Sequence, residues 1–210
     1  MDPAGIASAL LEAAWISARI ATGFAFVLAF GGMVAVILVT RRGAVDAGPP
    51  RAHRGGAAPR VAAQLGAVIL GALVTVFTPG QAQAWLPAPA QAAIATLAAL
   101  AVLFAGTFIA WAAWSLGASF THEAIVPARA RLVTQGPFAL VRHPFYAAWG
   151  LFGAGAALAF GSFAGAAVFL AVWIPATRWR AALEEEALAE AWPGEWPAYA
   201  ARTPRFLPRW

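Results

Sequence analysis

The residues of this chain that could do chemistry are concentrated in two segments, 131–146 and 180–199. The first reads R-L-V-T-Q-G-P-F-A-L-V-R-H-P-F-Y and sets an arginine and a histidine directly before a long apolar run. Its two prolines fix their own φ angles and bias the preceding residues away from the α region, so we expect a shaped loop. The second segment contains Arg180, Glu184 and Glu185, with Arg180 and Glu184 as i,i+4 neighbours of a predicted helix. Such side chains form charge-assisted hydrogen bonds, so both segments are candidates for a functional site.

Composition restricts the chemistry that these segments can perform. The chain is 61% hydrophobic and only 11% charged, which indicates an integral membrane protein. It has no cysteine, which excludes thiolate nucleophiles, disulfides and cysteine-ligated zinc. The three histidines, at positions 53, 122 and 143, are too scattered to predict a metal site. All 14 basic residues are arginines that flank hydrophobic segments, which favours anchoring at a membrane over nucleic-acid binding.

The hydrophobic segments predict an all-α, polytopic protein with five transmembrane helices. Residues 1–115 form an N-terminal membrane region with spans at about 14–40, 61–78 and 90–115. Residues 20–40 alone carry no charge and are long enough to cross about 30 Å of hydrocarbon. The linker 41–60 holds five arginines and one acid, so it should lie in the cytoplasm.

The last two transmembrane helices are predicted to form a hairpin within residues 145–177. This uncharged stretch is long for one crossing and short for two complete ones. The sequence G-S-F-A-G at 161–165 provides a turn near its midpoint, and the arginines after it favour a cytoplasmic end. Residues 178–210 should then form a cytoplasmic helix and tail, with Pro193 and Gly194 ending the helix.

Two motifs within residues 116–210 are specific in combination. The pattern G-P-(Y/F)-x-x-x-R-H-P-x-Y falls on Gly136, Pro137, Phe138, Arg142, His143, Pro144 and Tyr146, and R-x-x-x-E-E-x-x-L falls on Arg180, Glu184, Glu185 and Leu188. With them, residues 116–210 resemble the isoprenylcysteine carboxyl methyltransferase family and its phospholipid methyltransferase relatives. The sequence departs from the family pattern at Ala148 and Pro193, where the family has glycine, and at Trp196, where it has tyrosine.

The resemblance implies an S-adenosyl-L-methionine (SAM)-dependent methyltransferase that acts on a lipophilic small molecule or lipid-like acceptor, with carboxylate O-methylation favoured. It implies catalytic roles for Arg142, His143 and Glu185, and no metal. Arg142 and His143 suit the carboxylate of SAM, and Glu184 or Glu185 suits its ammonium or ribose hydroxyls. The cofactor-binding residues implied are Gly136, Pro137, His143, Pro144, Tyr146, Arg180, Glu184, Glu185, Trp196, Tyr199 and Arg205.

The expected setting is the bacterial inner membrane, with several crossings and an active site that faces the cytoplasm. The substrate would enter from the bilayer, and the expected partners are this substrate and membrane lipids, with no nucleic acid. Three alternatives remain open: an NADPH-dependent sterol or enone reductase of similar architecture, methylation of a thiol or phospholipid amine, and a non-catalytic protein. Structural roles are also open, because an arginine beside a span commonly snorkels, a histidine can cap a helix and a glutamate run is commonly a solvated helix face.

Overall fold

A computed structural model describes residues 57–78, 80, 85–117, 125–126 and 130–208, together with strand 52–53 and isolated positions between 5 and 31. The predicted all-α class is confirmed, with one two-residue antiparallel strand pair added to it. The predicted first span, 14–40, lies outside the described residues apart from isolated positions. The elements are β1 (Ala52–His53), α1 (Ala57–Phe77), α2 (Ala88–Leu116), β2 (Ile125–Val126), α3 (Pro137–Leu140), α4 (Pro144–Ala159), α5 (Phe163–Ala191) and α6 (Trp196–Arg202).

Helices α1 and α2 are each long and apolar enough to cross a membrane. The qualifying part of α1 is Pro59–Phe77, and all of α2 qualifies. Large apolar side chains on both helices remain exposed, including Leu65, Ile69 and Phe104. Lipid is the solvent that such surfaces suit, so both helices are candidate membrane spans.

Helices α4 and α5 form a hairpin whose turn lies at Phe160, Gly161 and Ser162. Gly161 adopts φ 71°, a left-handed conformation that favours glycine, and Ser162 caps α5 by accepting a hydrogen bond of 2.9 Å from the Gly165 amide. Helix α4 has 16 residues and is about 24 Å long, which is shorter than the hydrocarbon core. Helix α5 has 29 residues and continues without a break from the apolar hairpin into the charged segment.

The four long helices pack in the order α1, α5, α4 and α2. Val102, Ile109 and Phe152 are buried between α2 and α4, and Phe169 and Trp173 of α5 are buried with Ala67 of α1. The Trp173 indole also donates a hydrogen bond of 3.3 Å to the Tyr146 carbonyl at the start of α4. This packing holds the first turn of α4 against the middle of α5.

A second apolar cluster lies at the end of the hairpin opposite its turn. It brings β2, the C-terminal part of α5 and α6 together, and its buried members are Val126, Ala130, Ala187, Trp192, Trp196 and Tyr199. The cluster places the tail that follows α6 beside the loop between α3 and α4.

Candidate functional site

The loop between α3 and α4 is held in place by the C-terminal tail. The Arg142 amide donates to the Pro204 carbonyl at 2.8 Å, and the His143 amide donates to the Arg205 carbonyl at 3.0 Å. Pro144 then begins α4, where its missing amide hydrogen leaves no helical hydrogen bond unmade. Loop and tail therefore present the side chains of Arg142, His143 and Arg205 from adjacent backbones.

These three side chains converge on the carboxylate of Glu185. Its Oε1 accepts from Arg142 Nε at 3.1 Å and from Arg205 Nε at 2.9 Å, and it lies 3.0 Å from His143 Nε2. Arg205 also donates to Oε2. Arg142 uses its Nη1 group on two backbone carbonyls, those of Ala200 at 2.6 Å and Thr203 at 2.7 Å. Glu185 thus joins α5, the loop between α3 and α4, and the C-terminal tail.

The surroundings of Glu185 change its acidity. Burial alone would raise the pKa of this carboxyl group, but hydrogen bonds from His143 and Arg205, together with the charge of Arg142, outweigh burial and lower the pKa from 4.5 to about 2. The same hydrogen bonding to Glu185 raises the pKa of Arg205. Glu185 is therefore an ionised carboxylate over the whole physiological pH range.

Glu184 forms a neighbouring but separate cluster on the same helix. Its Oε1 accepts from Arg180 Nε at 3.0 Å and from the Tyr146 hydroxyl. The Arg180 guanidinium lies 5.4 Å from the centre of the Tyr146 ring, and that ring stacks on His143 at 5.7 Å. Glu184 Oε2 lies 3.7 Å from His143 Nδ1. Glu184 therefore contacts Arg180 of its own helix through Oε1 and approaches His143 of the loop through Oε2.

Gln64 is a member of the site that the sequence motifs did not indicate. It lies on α1, far from both motifs in the chain, and its side chain is buried. Its Oε1 accepts from Arg180 Nη1 at 3.0 Å, and its Nε2 donates to Thr177 Oγ1 at 3.2 Å. The available sequence signal was a single amide within an apolar span, because a buried amide needs hydrogen-bond partners.

The remaining predicted site residues lie at the start of α3 and in the second apolar cluster. Gly136 adopts φ 61° next to Ser115 and Trp111, and the buried Pro137 begins α3. Tyr199 is buried and donates to the Phe138 carbonyl at 2.8 Å, and burial raises the pKa of its hydroxyl to about 12. Trp196 is also buried, with the Arg142 guanidinium 5.9 Å from its ring centre. The rings of Trp196 and Tyr199 thus pack inside the second apolar cluster, and their predicted contact with a cofactor remains a prediction.

Comparison with protein families found a match over part of the chain. Residues 97–190 match the model of the isoprenylcysteine carboxyl methyltransferase (ICMT) family. This confirms the resemblance, although the match begins at residue 97, within α2, and not at 116. It contains both motifs and the hairpin between them, whereas Trp196, Tyr199 and Arg205 follow it. A search of the curated proteins found none that matches the chain.

An ICMT family domain indicates a membrane methyltransferase, and the two apolar helices agree with a membrane protein. Residues 97–190 of this chain match the model of such a domain. Within it lie α4, the loop before α4 and all but the last residue of α5, which bring Arg142, His143, Glu184 and Glu185 together at one end of the hairpin. The region of α1, including Gln64, precedes the matched residues.

Proposed function

We propose that this protein is a SAM-dependent methyltransferase of a lipophilic acceptor, with a carboxylate as the favoured acceptor group. The observation that carries the proposal is the meeting of the two motifs: Arg142 and His143 from the loop lie within 3.1 Å of Glu185 on α5. The ICMT family match supports methyl transfer as the chemistry. A multi-pass protein of the bacterial inner membrane, with this site at the cytoplasmic face, is part of the same proposal.

The two glutamates have different surroundings, which suggests different roles. Glu185 accepts hydrogen bonds from Arg142, His143 and Arg205, so we assign it to holding the loop and tail together. Glu184 Oε2 lies 3.7 Å from His143 Nδ1, beyond hydrogen-bond distance, and the Glu184 side chain is 21% exposed against 13% for Glu185. We therefore assign Glu184 to accepting hydrogen bonds from the ammonium or ribose hydroxyls of the donor.

The donor set of the site fits the groups that SAM presents. Arg142, His143 and Arg205 supply cationic or hydrogen-bonding groups for a carboxylate, and Tyr146 presents an aromatic face suited to a sulfonium or an adenine. When bound, SAM supplies an activated methyl group on a cationic sulfur. The residues of the chain would orient both reactants and exclude water, which in-line displacement mainly requires. A carboxylate acceptor is already anionic at neutral pH, so its methylation needs no general base.

The acceptor would reach the site from the bilayer. The outer faces of α1 and α2 are apolar, with exposed Leu65, Ile69, Leu97 and Phe104, so lipid surrounds the helices beside the site. An acceptor with an apolar body partitions into that lipid, and its polar group would then lie at the membrane surface. This is the level expected for Arg142 and His143, because they directly precede an apolar run.

Binding of SAM and of NADPH to the purified protein distinguishes the proposal from the reductase alternative. We expect calorimetry to detect SAM binding, a thermal-shift titration to detect stabilisation by SAM, and neither method to detect an effect of NADPH. Binding of NADPH without binding of SAM would overturn the proposed function.

A variant comparison tests the role of Glu184 within that function. Glu184→Gln should weaken SAM binding by about tenfold, as expected for loss of one charge-assisted hydrogen bond. Glu186→Gln is the matched control, because Glu186 is exposed and lies two residues after Glu184. Equal affinities for the two variants would contradict the assignment. A screen with labelled SAM across lipophilic carboxylates, thiols and amines would then identify the acceptor class.

A further inference from the structure

Helix α1 contributes a polar side chain to the site although it lies outside the matched residues 97–190. Gln64 is 7% exposed and falls within Pro59–Phe77, the part of α1 that is apolar enough to cross a membrane. A buried amide in such a helix costs free energy unless its polar atoms have partners. Both polar atoms of Gln64 have one, in Arg180 and Thr177.

One partner of Gln64, Arg180, directly contacts Glu184, the carboxylate that we assign to binding SAM. Arg180 is 8% exposed and donates through Nη1 to Gln64 and through Nε to Glu184. Thr177 is 4% exposed and lies one helical turn before Arg180, so Gln64 contacts two successive turns of α5. The hydrogen bonds of Gln64 to Arg180 and Thr177 restrict the position of the Arg180 guanidinium. Arg180 in turn restricts the position of Glu184 Oε1, which the Tyr146 hydroxyl also contacts.

From this geometry we infer that Gln64 is a positioning residue of the donor site, acting through Arg180 to hold Glu184 in the orientation that binds SAM. The inference rests on the proposed function. It gives α1 a role beyond membrane anchoring, because α1 fixes the buried cation that aims Glu184. Gln64 itself needs no contact with the donor or the acceptor for this role.

The test compares SAM affinity and melting temperature among three variants. Gln64→Leu keeps an apolar span and removes the Gln64 acceptor of Arg180 Nη1, so we expect SAM affinity to fall by about tenfold, comparable to the loss of an outer-shell partner of a metal ligand. Gln64→Glu keeps an oxygen acceptor for Arg180. Its affinity for SAM should therefore lie within about threefold of that of the unaltered protein, which is about half of the free-energy change expected for Gln64→Leu. Gln91→Leu is the matched control. Gln91 is half-buried at the start of α2 and donates to the Leu86 carbonyl, remote from the site.

The affinities decide whether Gln64 acts by position or by general stability. A purely structural role would lower the melting temperature of Gln64→Leu and leave the SAM affinity of the folded protein unchanged, which would overturn the inference. Loss of affinity in Gln64→Glu equal to that in Gln64→Leu would overturn it as well, because the acceptor for Arg180 is retained.

A second measurement separates failure of the inference from failure of the proposed function. Absence of SAM binding in the unaltered protein would contradict the proposed function. The link between Gln64 and Glu184 is then tested without SAM, by a double-mutant cycle on the melting temperature with Gln64→Leu and Glu184→Gln. We expect non-additive changes, because both variants act on Arg180, and strictly additive changes would overturn the inference in either case.

Discussion

Replacing Glu185 by glutamine should destabilise the protein, since this carboxylate joins three separate parts of the chain. The substitution preserves the shape and one oxygen acceptor but removes the negative charge. His143 is 5% exposed and the Arg142 side chain is 13% exposed, so both would remain largely buried beside a neutral amide. Loop and tail would lose the anion that attracts both of them to α5.

The expected magnitude follows from the burial of these partners. Breaking a buried ion pair by removing one partner costs about 3–5 kcal/mol. The lower end, about 3 kcal/mol, applies here because glutamine keeps one acceptor for the Arg142 and His143 side chains. Arg205 adds little, since its side chain is 37% exposed and water can solvate it. At about 2–4 °C for each kcal/mol in a protein of this size, the melting temperature should fall by about 6–12 °C.

Thermal unfolding of the purified protein in one detergent measures this change. Glu186→Gln serves as the control, because it removes the same charge from the exposed neighbouring position of the same helix. Its melting temperature should remain within about 2 °C of that of the unaltered protein, as for most surface substitutions. Equal melting temperatures for Glu185→Gln and Glu186→Gln would refute the reasoning, because the network would then contribute no stability.

Three further predictions concern pH, helix packing and topology. Because the pKa of Glu185 is lowered to about 2 from 4.5, the stability that its carboxylate contributes should be complete above pH 4.5 and be lost as the pH falls toward 2. The difference in melting temperature between the unaltered protein and Glu185→Gln should therefore disappear between pH 4.5 and pH 2. A constant difference would contradict the assigned cause. Gly153→Ala would place a Cβ 2.3 Å from the Phe169 ring and should cost about 1–3 kcal/mol in unfolding measurements. Gly66→Ala, whose Cβ would have no atom of the described residues within 4 Å, should cost nothing, and equal effects would contradict the packing of α4 on α5. Single cysteines introduced at residues 50 and 200 should be labelled from the same side of the membrane, and labelling from opposite sides would exclude the predicted hairpin topology.

The helical class and the hairpin turn follow from local patterns in the sequence. Gly161 and Ser162 can be identified as a turn because glycine and serine interrupt an uncharged run near its midpoint. The Arg180 and Glu184 pair is also local, since residues four apart meet on one face of any helix. The predicted bounds of the spans differ from the observed helices by a few residues, because caps and termini depend on the surrounding packing.

The different hydrogen-bond partners of the two glutamates could not be predicted from the sequence. Glu184 and Glu185 are adjacent, and either was a candidate for the ammonium or the hydroxyls of SAM. Adjacent residues of a helix point about 100° apart, so the packing of α4 and the path of the tail decide which partners each one meets. In the structure Glu185 meets Arg142, His143 and Arg205, whereas Glu184 meets Arg180 and Tyr146.

The sequence by itself therefore determined the helical class, the turn and the two motifs, since hydrophobic runs and short spacings act within a few residues of the chain. Only the tertiary structure decided that Gln64 supports Arg180 across 116 positions, and that the tail returns to His143. The physical reason is that side chains distant in sequence meet only after helices pack. That packing depends on small and large residues such as Gly153 and Phe169 fitting together, which no local pattern records.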